Sequence, residues 1–215
     1  MTFIRYFWTI ILFLPLTDSV LARDNVNCGI KVGAPLTNAY GPWDFTNPEH
    51  QIKLPIVLTA HFTDEVESLV KGTTNTTPHA DIDYTLRAIP NYHRALYAVA
   101  KLELSDRKNL KKGQNLETKH YTADCYFRRA IYFQPKDGVS YMLYALYLHK
   151  LGRLEDAAQK YEVALQLEKN NAELHYNAGL LYLDMGRISL AKEHASVAKS
   201  LGYPMMGLHK KLEKY

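Results

Sequence analysis

A period of 34 residues runs through the C-terminal part of the sequence and constrains the fold more than any other feature. In three successive units the recurring residues are small or aromatic: Ala123, Ala157 and Ala191; Ala130, Ala164 and Ala198; Phe127, Tyr161 and Ala195. The last two units also match Ala145 with Gly179 and Gly152 with Gly186. A repeat of this length is a unit of two short helices, which buries its apolar face only by stacking on its neighbours. The period therefore predicts an all-α solenoid of helical hairpins over residues 91–204, with about three repeats.

The residue types within a unit fit the packing of two antiparallel helices. Ala145 and Ala157 fall where two backbones approach most closely, and large side chains such as Tyr161 fill the space beside them. Gly152 and Gly186 fall in the turns, where glycine can adopt the positive φ that ends the first helix of the unit.

The segment from about residue 120 to residue 203 resembles tandem tetratricopeptide (TPR) repeats. The likeness rests on the repeat length, on the placement of glycine and alanine, and on the pattern Ala-x-x-x-Tyr-x-x-Ala that begins at Ala157. It is most specific for residues 138–171 and 172–203. The resemblance implies a non-catalytic scaffold or adaptor that binds other proteins.

The preceding unit departs from the regular pattern. Its first helix is expected from Asn91 to about Leu104, and its second helix from His120 to Phe133. The turn between them is expanded to about Ser105–Lys119, where the family has a short turn. The sequence therefore predicts an irregular first repeat.

The flanking segments are assigned by their composition. Residues 61–90 read as a degenerate helical pair, and residues 23–60, rich in glycine and proline, as an irregular extension that packs against the first helices. Trp43 and Phe45 either fill an apolar patch there or occupy the binding groove until a partner displaces them. Residues 205–215 read as a C-terminal capping helix.

The first residues predict export. Arg5 precedes an apolar run of about a dozen residues from Tyr6 to Leu16, which fits a signal peptide and is shorter than the roughly 20 residues of a membrane span. Cleavage is expected near Ala22, with an uncleaved membrane anchor as the alternative. No second apolar stretch is long enough to span a bilayer. The segments 41–45, 61–63 and 83–87 more loosely resemble exported bacterial TPR proteins, which favours the periplasm.

The sequence contains two cysteines, Cys28 and Cys125. In an oxidising compartment such a pair favours a disulfide, whereas two separate thiols remain the alternative. A redox or hydrolytic enzyme using Cys125 would need a free thiol. The sequence around it has no Cys-x-x-Cys pair that would support this use.

The TPR resemblance implies a concave groove lined by the first helix of each repeat, where family members hold peptides or partner helices. Carried over by position, the candidate partner-binding residues are Met142, Leu146, His149, Lys150, Tyr176, Asn177, Leu180 and Asp184. The amide of Asn177 can pair with both the donors and the acceptors of an extended strand. The alternative is that Asn177 only bonds a neighbouring helix.

Other function classes find little support. A net charge of +4 does not indicate nucleic-acid binding, and there is no phosphate-binding loop or nucleophile elbow. The nine histidines form no recognised metal motif, so neither a metal nor another cofactor is expected. The expected partner is a protein or peptide of unknown identity. A self-associating structural solenoid, which forms a homo-oligomer, is the second hypothesis.

Overall fold

The computed structural model describes residues 27–111 and 120–215, and this part of the chain is built from helices and turns, without β-strands. A 3₁₀-helix spans Pro48–Lys53, and the α-helices are α1 (Pro55–His61), α2 (Asp64–Glu67), α3 (Pro78–Ala88), α4 (His93–Asn109), α5 (Ala123–Phe133), α6 (Gly138–Lys150), α7 (Leu154–Leu167), α8 (Ala172–Asp184), α9 (Ile188–Ser200) and α10 (Gly207–Leu212). The predicted signal peptide, residues 1–22, lies outside the described residues. None of the described helices is long and apolar enough to cross a membrane.

The closest helix packing is within two hairpins, α6 with α7 and α8 with α9, and α7 joins one hairpin to the next by packing on α8. The predicted all-α solenoid of helical hairpins is thus confirmed. The helices α4 and α5 form a third, irregular pair, and α4 also packs on α6. The first helices α4, α6 and α8 therefore follow one another along one side of the solenoid.

Small residues allow the hairpins to close. Ala145, Ala157 and Ala164 are fully buried at the contacts between helices. A Cβ atom on Gly179 would lie only 2.5 Å from Cδ2 of Leu208, so the glycine is needed where α10 packs on α8. The turn glycines Gly152 and Gly186 have φ values of +75° and +72°, as the sequence predicts for the residues that end the first helices.

The first repeat differs from its prediction in the length of its first helix. Helix α4 begins at His93 and continues to Asn109, five residues beyond the expected end at Leu104. Glu103 explains the extension, because it holds Arg107 one turn further along and also accepts a hydrogen bond from the backbone N–H of Ala123 at 2.6 Å. The second helix begins at Ala123 rather than His120, since Thr122 caps it.

The region before α4 is more helical than its composition indicates. Residues 48–61, assigned to an irregular extension, form the 3₁₀-helix and α1, each with proline in its first turn. Helix α2 is a single turn and α3 begins at Pro78. The chain leaves α2 at Leu69, which has a φ of +63°.

The segment 27–47 crosses the second helix of the first repeat. Cys28 and Cys125 form a disulfide with a Cα–Cα distance of 5.1 Å, which ties the segment to the start of α5. Further along α5, Tyr132 donates a hydrogen bond to the carbonyl of Ala34 at 2.7 Å, and Gln134 donates to Asp44 at 2.6 Å. The segment therefore covers α5, on the second-helix side of the repeat.

The aromatic turn of this segment packs on the start of α4. The ring of Phe45 meets Tyr92 and His93 edge-on with centroids 5.0 Å apart, and its backbone N–H donates to Asn91. Trp43 packs against the same core. These contacts favour the packing alternative for Trp43 and Phe45 over occupation of the groove formed by α6 and α8.

Candidate functional site

Six of the candidate residues form one surface on α6 and α8, which we call the first-helix surface. Its members are Leu146, His149 and Lys150 on α6, and Asn177, Leu180 and Asp184 on α8. Lys150 and Asp184 are exposed, and the other four are half-buried. The surface is therefore a strip that combines two leucines and an amide with His149, Lys150 and Asp184 near the C-terminal ends of the two helices.

A direct contact joins the two helices of this surface. Nε2 of His149 lies 2.8 Å from Oδ2 of Asp184. The His149 side chain is only 11% exposed, whereas that of Asp184 is 52% exposed. The pair fixes the spacing of α6 and α8 and leaves one carboxylate oxygen of Asp184 facing outward, where it can accept a hydrogen bond from a ligand.

The side-chain amide of Asn177 makes no hydrogen bond to any of residues 27–111 and 120–215. It is half-buried, so its donor and acceptor atoms remain accessible. This contradicts the alternative in which Asn177 only bonds a neighbouring helix. An amide at the surface with both functions unused can pair with the N–H and C=O groups of an extended peptide.

Two of the eight candidates do not lie on an open surface. Met142 and Tyr176 are only 5% and 6% exposed and belong to the hydrophobic core. The ring of Tyr176 packs against Tyr203 with centroids 4.6 Å apart, and Gly207 at the start of α10 approaches its hydroxyl. The position-by-position comparison could not anticipate this, because the C-terminal segment folds back over α8.

Sequence reasoning missed the contribution of α4 to this side of the solenoid. Ala100 of α4 is buried like Ala145 of α6, which gives a step of 45 residues instead of 34. At the same step, the exposed residues Tyr97 and Lys101 correspond to Met142 and Leu146. Nζ of Lys101 lies 5.7 Å from the centroid of the Tyr97 ring. The 11-residue expansion of the first repeat hides this correspondence from a search at a fixed period.

A buried polar junction holds the three helices of the first and second repeats in place. Glu103 of α4 is 5% exposed and accepts hydrogen bonds from the Tyr147 hydroxyl of α6 and from the backbone N–H of Ala123 of α5, both at 2.6 Å. Burial raises the pKa of Tyr147 well above its usual range, and the contact with Glu103 raises it further. Tyr147 therefore keeps its proton and donates a hydrogen bond to the Glu103 carboxylate.

A second junction joins the starts of α4 and α6. The carboxylate of Asp137, the N-cap of α6, lies 2.8 Å from Nε2 of His93 and 2.8 Å from the hydroxyl of Ser140. Burial alone would raise the pKa of Asp137, but the hydrogen bonds from His93 and Ser140 outweigh it and hold the pKa below 3.8. These groups are structural, because each is satisfied by its neighbours.

Several histidines pair with another histidine or with an aspartate. Nδ1 of His175 lies 2.9 Å from Nδ1 of His194, and His61 and His93 each meet one aspartate. Within the two described ranges, no three His, Cys, Asp or Glu side chains are arranged to hold a metal ion. The disulfide leaves neither cysteine as a free thiol.

Comparison with known proteins agrees with the hairpin geometry. Residues 146–186 match the family model for the TPR repeat. The match runs from the middle of α6 through α7 and α8 to the turn at Gly186 and supports a TPR protein. No curated protein matches the chain. TPR repeats are generally non-catalytic and typically mediate protein interactions, so the repeat suggests a protein-binding scaffold.

Proposed function

We propose that this chain is an exported, non-catalytic TPR adaptor that binds a protein or peptide along its first-helix surface, in a bacterial envelope complex. The observation that carries the proposal is the unused amide of Asn177 on the first-helix surface. Because its donor and acceptor atoms are accessible and unused within the described residues, this amide is free to pair with the backbone of a bound peptide.

The chemistry of the surface indicates the class of ligand. Apolar contacts come from Leu146 and Leu180, the amide of Asn177 can hold a peptide backbone, and Asp184 offers an outward carboxylate oxygen. Lys150 and Asp184 carry opposite charges at the same edge. An extended segment or amphipathic helix with apolar anchors fits this strip better than an acidic tail does.

Export is supported by two independent features. The apolar run from Tyr6 to Leu16 follows Arg5 in the manner of a signal peptide. The disulfide between Cys28 and Cys125 is typical of proteins in an oxidising compartment. Cleavage near Ala22 would release a periplasmic or secreted chain, and an uncleaved anchor would hold it at the membrane. Intact mass and fractionation of the purified protein separate these two outcomes.

The binding test compares matched substitutions on the two sides of the solenoid. We would crosslink the protein in bacterial cells and quantify the copurified partner for the wild type and for Asn177→Ala, Leu180→Asp and Leu167→Asp. Leu167 lies on the second helix α7 and is 40% exposed, so it controls for placing an aspartate at a leucine position outside the first-helix surface, and thermal melts of each variant check for loss of stability.

We expect Asn177→Ala to lower partner recovery about fivefold and Leu180→Asp by more than tenfold, as for central interface residues. Leu167→Asp should recover the partner at the wild-type level. A stoichiometric partner that is insensitive to both α8 substitutions, or no stoichiometric partner at all, would contradict the proposed binding surface.

A further inference from the structure

Apart from Val32, Tyr97 and Leu167, the exposed large apolar side chains of the described residues fall in two groups, one before α3 and one from α9 onward. At the N-terminal end, Ile52, Ile56 and Val70 are 62–82% exposed. At the C-terminal end the exposed residues are Leu190, Leu201, Met205, Met206 and Tyr215. Large apolar groups left in water at both ends of a stacked-repeat protein favour an interaction there.

The N-terminal end carries a cleft between α1 and α2. It has a volume of about 470 Å³, and its lining combines Leu58 and the largely buried rings of Phe62 and Tyr92 with two threonines, Arg94 and the carboxylates of Asp64 and Glu65. Both carboxylates are exposed.

The cations near Asp64 and Glu65 do not neutralise these two carboxylates. Arg94 is engaged by Glu67, with Nε 2.8 Å from Oε1. Lys71 lies 3.9 Å from Glu65, and an ion pair between two exposed groups at that distance contributes little. The cleft therefore combines a small apolar surface with two exposed carboxylates that neither of the nearby cations fully neutralises.

The C-terminal end has the complementary chemistry. Helix α10 buries Leu208 and Leu212 against the last hairpin and leaves Lys210 and Lys211 exposed. Met205 and Met206 precede the helix and are about half exposed. Methionine side chains are flexible enough to fill an irregular apolar cleft, and the neighbouring lysines can meet carboxylates at its edge.

We propose that two copies of this chain associate head to tail, with the α10 segment of one copy docked on the α1–α2 cleft of the next. Charge selects this arrangement over the symmetric ones, because two basic C-terminal ends repel each other and so do two acidic N-terminal ends. A head-to-tail contact uses two different surfaces and so propagates into a chain of copies unless the rotation closes a ring. The contact extends the solenoid and leaves the first-helix surface open.

The test reverses the charges of one end at a time in the full-length protein. One variant carries Asp64→Lys and Glu65→Lys, and the other carries Lys210→Glu and Lys211→Glu. The control carries Lys136→Glu and Lys169→Glu, two exposed lysines in turns away from both ends, which give the same change of net charge as the second variant. Circular dichroism and thermal melts check that all remain folded. Sedimentation velocity over a wide concentration range measures association.

We expect the wild type and the control to associate with rising concentration, and less so at high salt, since the charges are exposed. Each end variant should associate at least about tenfold more weakly. A one-to-one mixture of the two end variants should regain association, because each retains the wild-type end that the other lacks.

The proposal would be overturned by a wild type that stays monomeric or by end variants that associate like the wild type. It would also be overturned if the mixture of the two end variants associated no more strongly than each variant alone, which is the result expected for a symmetric dimer. A monomer that instead binds anionic vesicles through the lysines would also overturn it. Asn177→Ala should associate like the wild type, so a failure of this proposal is distinguishable from a failure of the first-helix surface.

Discussion

The pair α4–α5 and the pair α8–α9 share the plan of two helices joined by a turn, yet they bury different chemistry. In the described chain, the buried polar residues fall between residues 81 and 140: Asp81, Thr85, Asn91, Glu103, Arg129, Asp137 and Ser140. From residue 141 onward, the buried residues are aliphatic, aromatic or glycine. The two halves of the solenoid are therefore stabilised by different means.

The contrast follows from the regularity of the repeat. Where the step is 34 residues, the same small and aromatic side chains meet in each hairpin, and packing alone fixes the geometry. Where the step expands to 45 residues, the helices need contacts specified individually, and Glu103 and Asp137 supply them through hydrogen bonds. The disulfide adds a covalent restraint to the same half.

Removing the disulfide should give the largest difference in stability between the two halves of the solenoid. The bond joins residues 97 apart, and in the chain-entropy model a loop of that length stabilises by up to about 4.7 kcal/mol. We expect Cys28→Ser with Cys125→Ser to lower the unfolding free energy of the first repeat by about that amount.

Hydrogen exchange locates the effect of the disulfide. Amide protons of α5 should exchange much faster in the variant, while those of α8 and α9 keep their protection, and the reduced wild type should behave as the variant does. Equal acceleration in α5 and α9 would show that the two halves unfold as one unit.

Two N-caps that lie 34 residues apart give a smaller, matched comparison. Asp137 caps α6 and is buried against His93 and Ser140, whereas Asn171 caps α8 and is half-buried, accepting from the N–H of Leu174. Asp137→Ala should cost about 3 kcal/mol, because it leaves buried partners unsatisfied. Asn171→Ala should cost about 1 kcal/mol, as for an ordinary cap. Chemical denaturation measures both, and equal losses would contradict the contrast.

The pH dependence of the last hairpin should show the smallest effect. Burial lowers the pKa of His194, and the neighbouring His175 lowers it further, while Glu193 opposes them. Below the ordinary pKa of 6.5, the unfolded chain therefore takes up a proton that folded His194 does not, so stability should fall as the pH drops below that value. The slope for one proton is at most about 1.4 kcal/mol per pH unit.

Replacing His194 tests whether this side chain causes the pH dependence of stability. His194→Phe keeps a ring that can stack on Tyr182, which His194 meets with centroids 5.3 Å apart, and should flatten the dependence between pH 6.5 and the lowered pKa. Above pH 7 the wild type and the variant should respond to pH alike. An unchanged slope in the variant would assign the dependence to another group.

The sequence by itself determined the architecture from residue 138 to residue 203. Recurrence of alanine, glycine and aromatic residues is a local signal, since it records which face of each helix is buried and where the chain turns. The helices α6–α9 and the turns at Gly152 and Gly186 follow from it directly. The choice of Leu146, Asn177 and Leu180 as members of one surface came instead from the resemblance to TPR repeats, carried over by position.

The tertiary structure alone decided how the segments outside the regular repeats are arranged and which side chains they cover. The path of residues 27–47 over α5, the burial of Tyr176 beneath Tyr203, and the meeting of Glu103 with Tyr147 depend on contacts between residues 27 or more apart in the sequence, outside any repeat. The pairing of Cys28 with Cys125 was open in the sequence for the same reason. Such contacts leave no periodic signal, because each is formed once, by groups whose neighbours in space are set only when the whole chain has folded.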